Sequence, residues 1–294
     1  MDIVIDLYRR CMPVAVRNYL GNIRTKKMKG KCFEKIKSGK WMFDFKNECE
    51  YMISKGELVT FPYEWTDSYC ADDVQVLYDT NKKMPYILIG SNRLYFPKKY
   101  SKKYIQKYFN SILIEQDPRS SHYYFEPTDS RLKDGIFFDI GGAEGFISLQ
   151  VVPYVDRILI FECDKDWIKA LKATFDPWRD KVFIINKYVS SRTCGKEICL
   201  DDVDGDLKKV ILKIDVEGME EDVLKGADKL LRLKDTQVYV CAYHKKNDEQ
   251  IFSALLRKYG FHIEKSDGYM FYGLDDDAGF RKGIIRAIKG STVC

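Results

Sequence analysis

Nowhere in the 294 residues does an apolar run approach the ~20 that a membrane-spanning helix needs, so no span is expected. Asp2, Asp6, Arg9 and Arg10 interrupt the first apolar stretch, and no secretory leader is expected from it. Nine cysteines are scattered from Cys11 to Cys294 without a C-x-x-C pair, and the closest two, Cys194 and Cys199, have no histidine nearby. Such spacing gives neither a disulfide framework nor a zinc site; it predicts reduced thiols and a cytoplasmic protein. Histidine is scarce, with three in the chain, so the position of each matters. Internal repeats and low-complexity segments are also lacking.

What is present suits one α/β domain with an N-terminal extension, because 294 residues can bury a full core. The formal charge of +5 is concentrated at the front: residues 1–50 hold 12 Lys and Arg against 6 Asp and Glu. Arg24, Lys26, Lys27, Lys29 and Lys31 form the densest run. Its ordinary reading is a solvated helix face; an anionic membrane surface, a phosphorylated substrate or RNA would also suit it. An aromatic share of 14% exceeds what one binding pocket needs, so most of these rings should serve packing.

The chain is organised around residues 136–149, IFFDIGGAEGFISL. Ile136, Phe137 and Phe138 read as a strand covered on both faces, Asp139 ends it, and a glycine-rich turn leads into a helix at Phe146 and Leu149. A dinucleotide fingerprint would need glycines at 141, 143 and 146, but Ala143 and Phe146 stand at two of those positions. Asp139 would also repel a pyrophosphate, whereas it would attract a cation such as the amino group and sulfonium of S-adenosylmethionine (SAM). The spacing D-x-G-x-x-x-G therefore favours SAM.

Two further runs share the pattern of an apolar strand ending in acid. RILIFECD at 157–164 places Glu162 23 positions after Asp139, near the offset at which a carboxylate accepts hydrogen bonds from ribose hydroxyls. VILKIDVEG at 210–218 ends in Asp215 and Glu217. Three such strand ends define one crevice in an open parallel sheet.

FDIGGAEGFISL, IFECDKDW, LDD at 200–202, LKIDVEGMEEDVLKGA at 212–227 and FRKGIIRA at 280–287 resemble the FkbM-type SAM-dependent methyltransferases. The resemblance covers about 135–290 and only poorly the first ~110 residues. It implies a Rossmann-like fold with a seven-stranded, mostly parallel sheet whose final strand is antiparallel, with helices on both faces. Its implied activity is O-methylation, often of sugars in bacterial surface glycans or of secondary metabolites. The implied cofactor contacts are Asp139, Gly141, Gly142, Ala143, Glu144, Gly145, Phe146, Glu162, Cys163, Asp215 and Tyr188, the last beside the adenine. Many members carry Asn where this chain has Ala143, so the side-chain contact to the methionine end is either missing or supplied by Glu144.

The rest of the chain falls into place around this core. An N-terminal helix is expected from Ile3, Ile5, Leu7 and later apolar positions. Short strands are expected in LVTFPY, VQVLYD, YILIG and LYF, and an amphipathic helix over 98–109. EQDPRSSHYY at 115–124 reads as a loop facing the substrate side or as a plain connector. Asp164 or Asp166 should cap a helix, and Asn247 with Gln250 looks like a capping box before a helix that stops at Gly260. HIEK and YMFYGL are expected to supply the last two strands. The boundary is set near residue 130, with 1–130 as an α+β extension that selects the acceptor and 131–294 as the methyltransferase domain.

An alcohol acceptor needs a group to take its proton. His244, at the end of the strand QVYVCAYH, is the first choice of base, since an ordinary histidine is largely neutral near pH 7. Asp215 and Glu217 complete the catalytic set, with Asp215 also a candidate for the SAM amino group and Glu217 for capping the next helix. No metal is assigned, although two acids and a histidine leave a divalent ion open. The expected function is SAM-dependent O-methyl transfer to a small-molecule or glycan hydroxyl. Nucleic acid is disfavoured as a partner and homo-oligomerisation is left open. The rivals are an RNA methyltransferase and a SAM-binding scaffold without turnover.

Overall fold

The computed structural model describes residues 14–289. Ile3, Ile5 and Leu7, expected in the first helix, lie outside the described residues, as do Cys11 and Cys294. Two compact units divide the chain. One reaches to Glu64 and includes Phe271–Phe280; the other holds Trp65–Met270 and the segment from Arg281 onward.

In the first unit, α1 (Val14–Lys37) and α2 (Lys46–Lys55) bury Cys32, Ile36, Cys49 and Met52 with Phe271 and Ala278. Trp41, Phe271 and Phe280 meet edge to face, with centroids 5.2–6.3 Å apart. Gly56, at φ +71°, ends α2 by donating its N–H to Met52 and Ile53. LVTFPY forms no strand: Phe61 is buried, and Thr60 accepts a single backbone bond from Phe271.

The second unit begins with a three-stranded antiparallel sheet, β1 (Leu77–Asp79), β2 (Met84–Ile89) and β3 (Asn92–Tyr95). Asp79 fixes the first turn by accepting the N–H groups of Asn81 and Lys82. The amphipathic helix α3 (Lys102–Glu115) starts later than expected because Ser101 caps it, accepting the Tyr104 N–H. Then come β4 (Ile136–Ile140), α4 (Phe146–Val151), β5 (Arg157–Phe161), α5 (Lys165–Thr174) and β6 (Val182–Ile185). Asp164 is the cap of α5, accepting the N–H groups of Asp166 and Trp167. The short parallel pair β7 (Tyr188–Val189) and β8 (Glu197–Ile198) leads to β9 (Lys209–Ile214), α6 (Glu220–Lys225), α7 (Asp228–Arg232) and β10 (Asp235–Cys241). The chain continues through α8 (Asp248–Lys258), β11 (His262–Lys265), the paired strands β12 (Met270–Tyr272) and β13 (Gly279–Arg281), and β14 (Ile284–Ile288).

Seven strands form the main sheet in the order β11-β14-β10-β9-β4-β5-β6. Neighbours from β10 to β6 are parallel, and β14 runs antiparallel to both β10 and β11. The order reverses between β4 and β9, which makes their carboxyl ends a switch point where a crevice opens. Helices cover both faces, as a parallel sheet requires. Phe138, Ile140, Leu212, Ile214 and Val240 point into a core shared with Val223 and Leu224 of α6 and Phe252 of α8. The alternate positions Phe137, Asp139, Lys213, Tyr239 and Cys241 share the other face, where Phe125 packs on Phe137 and Tyr239.

Three further expectations need correction. The last sheet strand is IIRAI at 284–288, since YMFYGL pairs outside the main sheet. Asn247 makes no side-chain cap; Asp248 instead accepts the Lys245 N–H, although Gly260 does stop α8 at φ +81°. The compact units also part at Glu64 and not near 130, because β1–β3 and α3 pack with the α/β body: Tyr95 N–H donates to Thr174, and Phe96 lies 6.2 Å from Trp167. Among the described residues no helix is long and apolar enough to cross a membrane.

Candidate active site

A cavity of about 1060 Å³ opens at the carboxyl ends of β4, β5 and β9, roomy for a nucleoside-sized ligand together with a second molecule. Its floor is the glycine turn. Gly141 (φ +81°) donates its N–H to Phe161, and a Cβ there would lie 1.8 Å from the Asp215 carbonyl oxygen. A Cβ on Gly142 would lie 2.3 Å from Ile160. Both positions let two strand ends approach with no side chain between them. Ala143 takes a left-handed φ of +40° that presents its N–H to Glu162.

Asp139 does not line this cavity. It is 1% exposed, ion-paired to Lys213 at 2.9 Å and accepting from Ser148 at 2.6 Å. Register accounts for the pair, since Asp139 on β4 stands opposite Lys213 on β9, on the same face. The carboxylate expected to attract a cationic ligand is thus neutralised from within and braces the turn. Lys213 also donates to the Gly141 carbonyl at 2.7 Å. Burial would lower its pKa, but Asp139 and Asp215 outweigh that and raise it, so it stays charged. Gly145 and Phe146 are likewise packing residues: a Cβ on Gly145 would meet Leu171 and Phe175, and Phe146 sits edge-on to Phe109.

Glu162 does line the cavity, at the tip of β5. Its carboxylate accepts the N–H groups of Ala143 (3.0 Å), Cys163 (2.6 Å) and Asp164 (2.7 Å), which orients it while leaving lone pairs for a ligand. Cys163 and the exposed ring of Tyr188 stand on the same side of the cavity. Glu144 is buried in its wall and accepts the Tyr108 hydroxyl at 2.7 Å; burial raises its pKa.

At the other side, Asp215 accepts the Tyr124 hydroxyl at 3.0 Å. Burial pushes its pKa up, but Lys213, His122, His244 and Tyr124 together hold it below the ordinary carboxylate range. His122 Nε2 lies 3.3 Å from the Tyr243 hydroxyl and 3.6 Å from Cys241 Sγ. Burial lowers this histidine to about 4 and pushes the Cys241 thiol well above its usual range.

His244 is not among the residues lining the cavity. Its Nδ1 lies 2.9 Å from the fully buried Glu220, and its Nε2 lies 3.8 Å from Asp215 and 3.5 Å from Glu217. Burial lowers its pKa, yet Glu220, Asp215 and Glu217 outweigh burial and leave it raised, so its charged form is favoured more than in an ordinary histidine. Its pairing with Glu220, and its absence from the cavity lining, set it apart from the base expected at that strand end. Glu217 borders the cavity with its side chain 87% exposed, and Glu220, not Glu217, ties down the loop before α6 by accepting the Val216 and Gly218 N–H groups.

Among the described residues, two sets of donor atoms come close enough to hold an ion, His122–Asp215–Cys241 and Asp215–Glu220–His244. Both depend on Asp215, to which Lys213 already supplies a positive charge. We assign no metal to either.

The sequence reading overlooked Glu115. With Tyr108, Ser111 and Ile112 it forms the face of α3 that lines the cavity, and Gln116, His122 and Tyr124 continue that wall. EQDPRSSHYY thus lies on the cavity side. Arg286 secures it by donating to the carbonyls of Tyr123 and Tyr124. The available signal was electrostatic: Glu115 is an acid at a helix carboxyl end, where the dipole favours cations.

The model of the methyltransferase FkbM domain matches residues 90–265. The chain belongs to the FkbM methyltransferase family. Among solved structures, a methyltransferase FkbM from Methylobacillus flagellatus KT is 15% identical with a TM-score of 0.43; the match covers 65% of this chain and 56% of that one. The chain therefore spans little more than half the length of that relative. A precorrin-6y C5,15-methyltransferase from Geobacter metallireducens GS-15 is 20% identical (TM-score 0.38, covering 54% of this chain and 85% of that one). A putative RNA methyltransferase from Pyrococcus horikoshii is 14% identical (TM-score 0.36, 54% and 76%). No curated protein matches the chain.

Proposed function

We propose that this FkbM-family protein is a SAM-dependent O-methyltransferase acting on a hydroxyl of a sugar-type or other small polar acceptor. The observation that carries the reading is Glu162, a carboxylate held by three backbone N–H groups at the edge of the switch-point cavity, where a ribose diol would donate to it. SAM supplies a methyl group already activated on a sulfonium. The acidic lining suits that cation: Glu162, Glu197, Asp215, Glu217 and Asp222, joined by Glu115 and Glu144 whose pKa values burial raises, line the cavity against Lys187, Arg192 and Lys213. An acidic wall also disfavours phosphorylated acceptors and nucleic acid. Ser111, Gln116, Tyr124 and Tyr243 offer hydroxyl and amide groups to an uncharged polar acceptor. The exposed Lys26, Lys27, Lys29 and Lys31 of α1 favour the RNA reading and keep it as the second choice. The seven cysteines among the described residues are free, which supports a cytoplasmic setting.

Calorimetry tests the cofactor assignment. SAM and S-adenosylhomocysteine should bind in the micromolar range and NAD should not; NAD binding without a response to SAM would overturn the reading. Glu162→Gln should weaken SAM by ~1.5–3 kcal/mol, as for a hydrogen bond to a charged group. Labelled SAM incubated with a fractionated cell extract then identifies the acceptor.

A further inference from the structure

We propose that Glu115 is the catalytic base of this site, taking the proton of the acceptor hydroxyl in a state made ready by the donor's positive charge. The inference rests on the SAM reading above. Its ground is the distribution of partners within the cavity. Asp215 is held by Tyr124, Glu144 by Tyr108 and Glu162 by backbone N–H groups, while His122 Nε2 is engaged by Tyr243 and Cys241. Glu115 lines the same cavity, and no hydrogen bond or ion pair holds its carboxyl group among the described residues. An acid at the carboxyl end of α3, half-buried and unpaired, works against stability, so its placement calls for a ligand.

The surroundings set its proton affinity. Burial, then Asp215, Glu144 and Glu217, push Glu115 up to about 8 against the opposing pull of Lys213. The Tyr108 and Tyr243 hydroxyls face the same group, and both stay protonated because burial raises them. At neutral pH the free protein therefore holds Glu115 mostly as the acid. A sulfonium entering the cavity favours the carboxylate and expels that proton. Glu115 then accepts the hydroxyl proton as the acceptor oxygen bonds the methyl carbon, while the carbon–sulfur bond breaks with its electron pair left on sulfur. The neutral thioether product no longer favours the charged carboxylate, so Glu115 retains the proton until the next donor arrives.

Calorimetric titration of the full chain at pH 7, in phosphate and in Tris buffers, counts protons released on binding. SAM should release more than S-adenosylhomocysteine, and the difference should vanish in Glu115→Gln while both ligands still bind. In transfer from labelled SAM to the extract fraction that the wild type methylates, Glu115→Gln should be slower by ~10² to 10⁴-fold, and Glu115→Asp should recover part of the rate with a displaced pH profile. An unchanged SAM-minus-product proton difference in Glu115→Gln, or wild-type transfer by that variant, overturns the inference and leaves the SAM reading standing. Failure of the wild type to bind SAM at all overturns both.

Discussion

His244 shows what a residue's address in the sequence conveys and what it leaves out. Its place at the end of β10, beside the strand that leads to Asp215, was legible from an apolar run closed by a histidine. Its partner was not, because Glu220 lies on the next helix and the fold alone brings it within 2.9 Å. The pair gives His244 a structural task. His244→Ala would leave the Glu220 carboxylate buried with only backbone donors, which should cost about 3–5 kcal/mol in urea unfolding. The pH dependence has a definite sign. A histidine raised above its ordinary 6.5 stabilises fully below that pH, and the contribution is lost as pH rises through the raised value. Glu220 is lowered despite burial, because His244 and backbone N–H groups favour its charge; its contribution is present above its ordinary range and lost in acid. The gap between wild type and His244→Ala should thus narrow in alkali. Equal stability of the two proteins across pH 6–9, with transfer abolished in the variant, would return His244 to the role of base.

At the scale of elements, the strand, turn and helix of 136–149 formed as their pattern indicated, since a doubly covered strand and a glycine turn are local properties of the chain. The meaning of Asp139 was not local. Its charge is answered by Lys213 through strand register, and register between β4 and β9 is set by sheet order, which spacing within either segment does not contain. The third glycine was read as a ligand contact when its helix needed it for packing on Leu171 and Phe175. Gly141 gives the sharper test of the turn. Gly141→Ala would force a left-handed alanine onto the Asp215 carbonyl, costing about 1–3 kcal/mol for the strained backbone and displacing Asp215 from Tyr124. Thermal unfolding should show the loss, and SAM affinity should fall with it. A variant with unaltered melting and binding would mean that the two strand ends separate at little cost.

For the whole molecule, composition and resemblance marked the methyltransferase body but drew its front edge too late. The first 130 residues lack cofactor motifs, which made them look separable. Yet the face of α3 and the segment after it contribute Tyr108, Glu115, Gln116, His122 and Tyr124 to the cavity, and Phe125 covers Phe137 and Tyr239 of the sheet. A helix without glycines and with a single acid, Glu115, at its ligand edge gives no motif to read, so this wall became visible only once folded. A chain starting at residue 131 would lose that wall and bare two sheet aromatics to water. It should bind SAM at least tenfold more weakly than the full chain, if it folds. A chain starting at Trp65 keeps every cavity residue and should bind SAM nearly as the full chain does. It would carry Phe271 and Phe280 without their partners Trp41 and Phe45, so aggregation, and not loss of the site, is its expected defect. Calorimetry with SAM on the three chains, after size-exclusion chromatography, separates these outcomes. Full affinity in the chain from 131 would show that donor binding needs nothing from α3, and the acceptor-selecting role would then pass to everything before it.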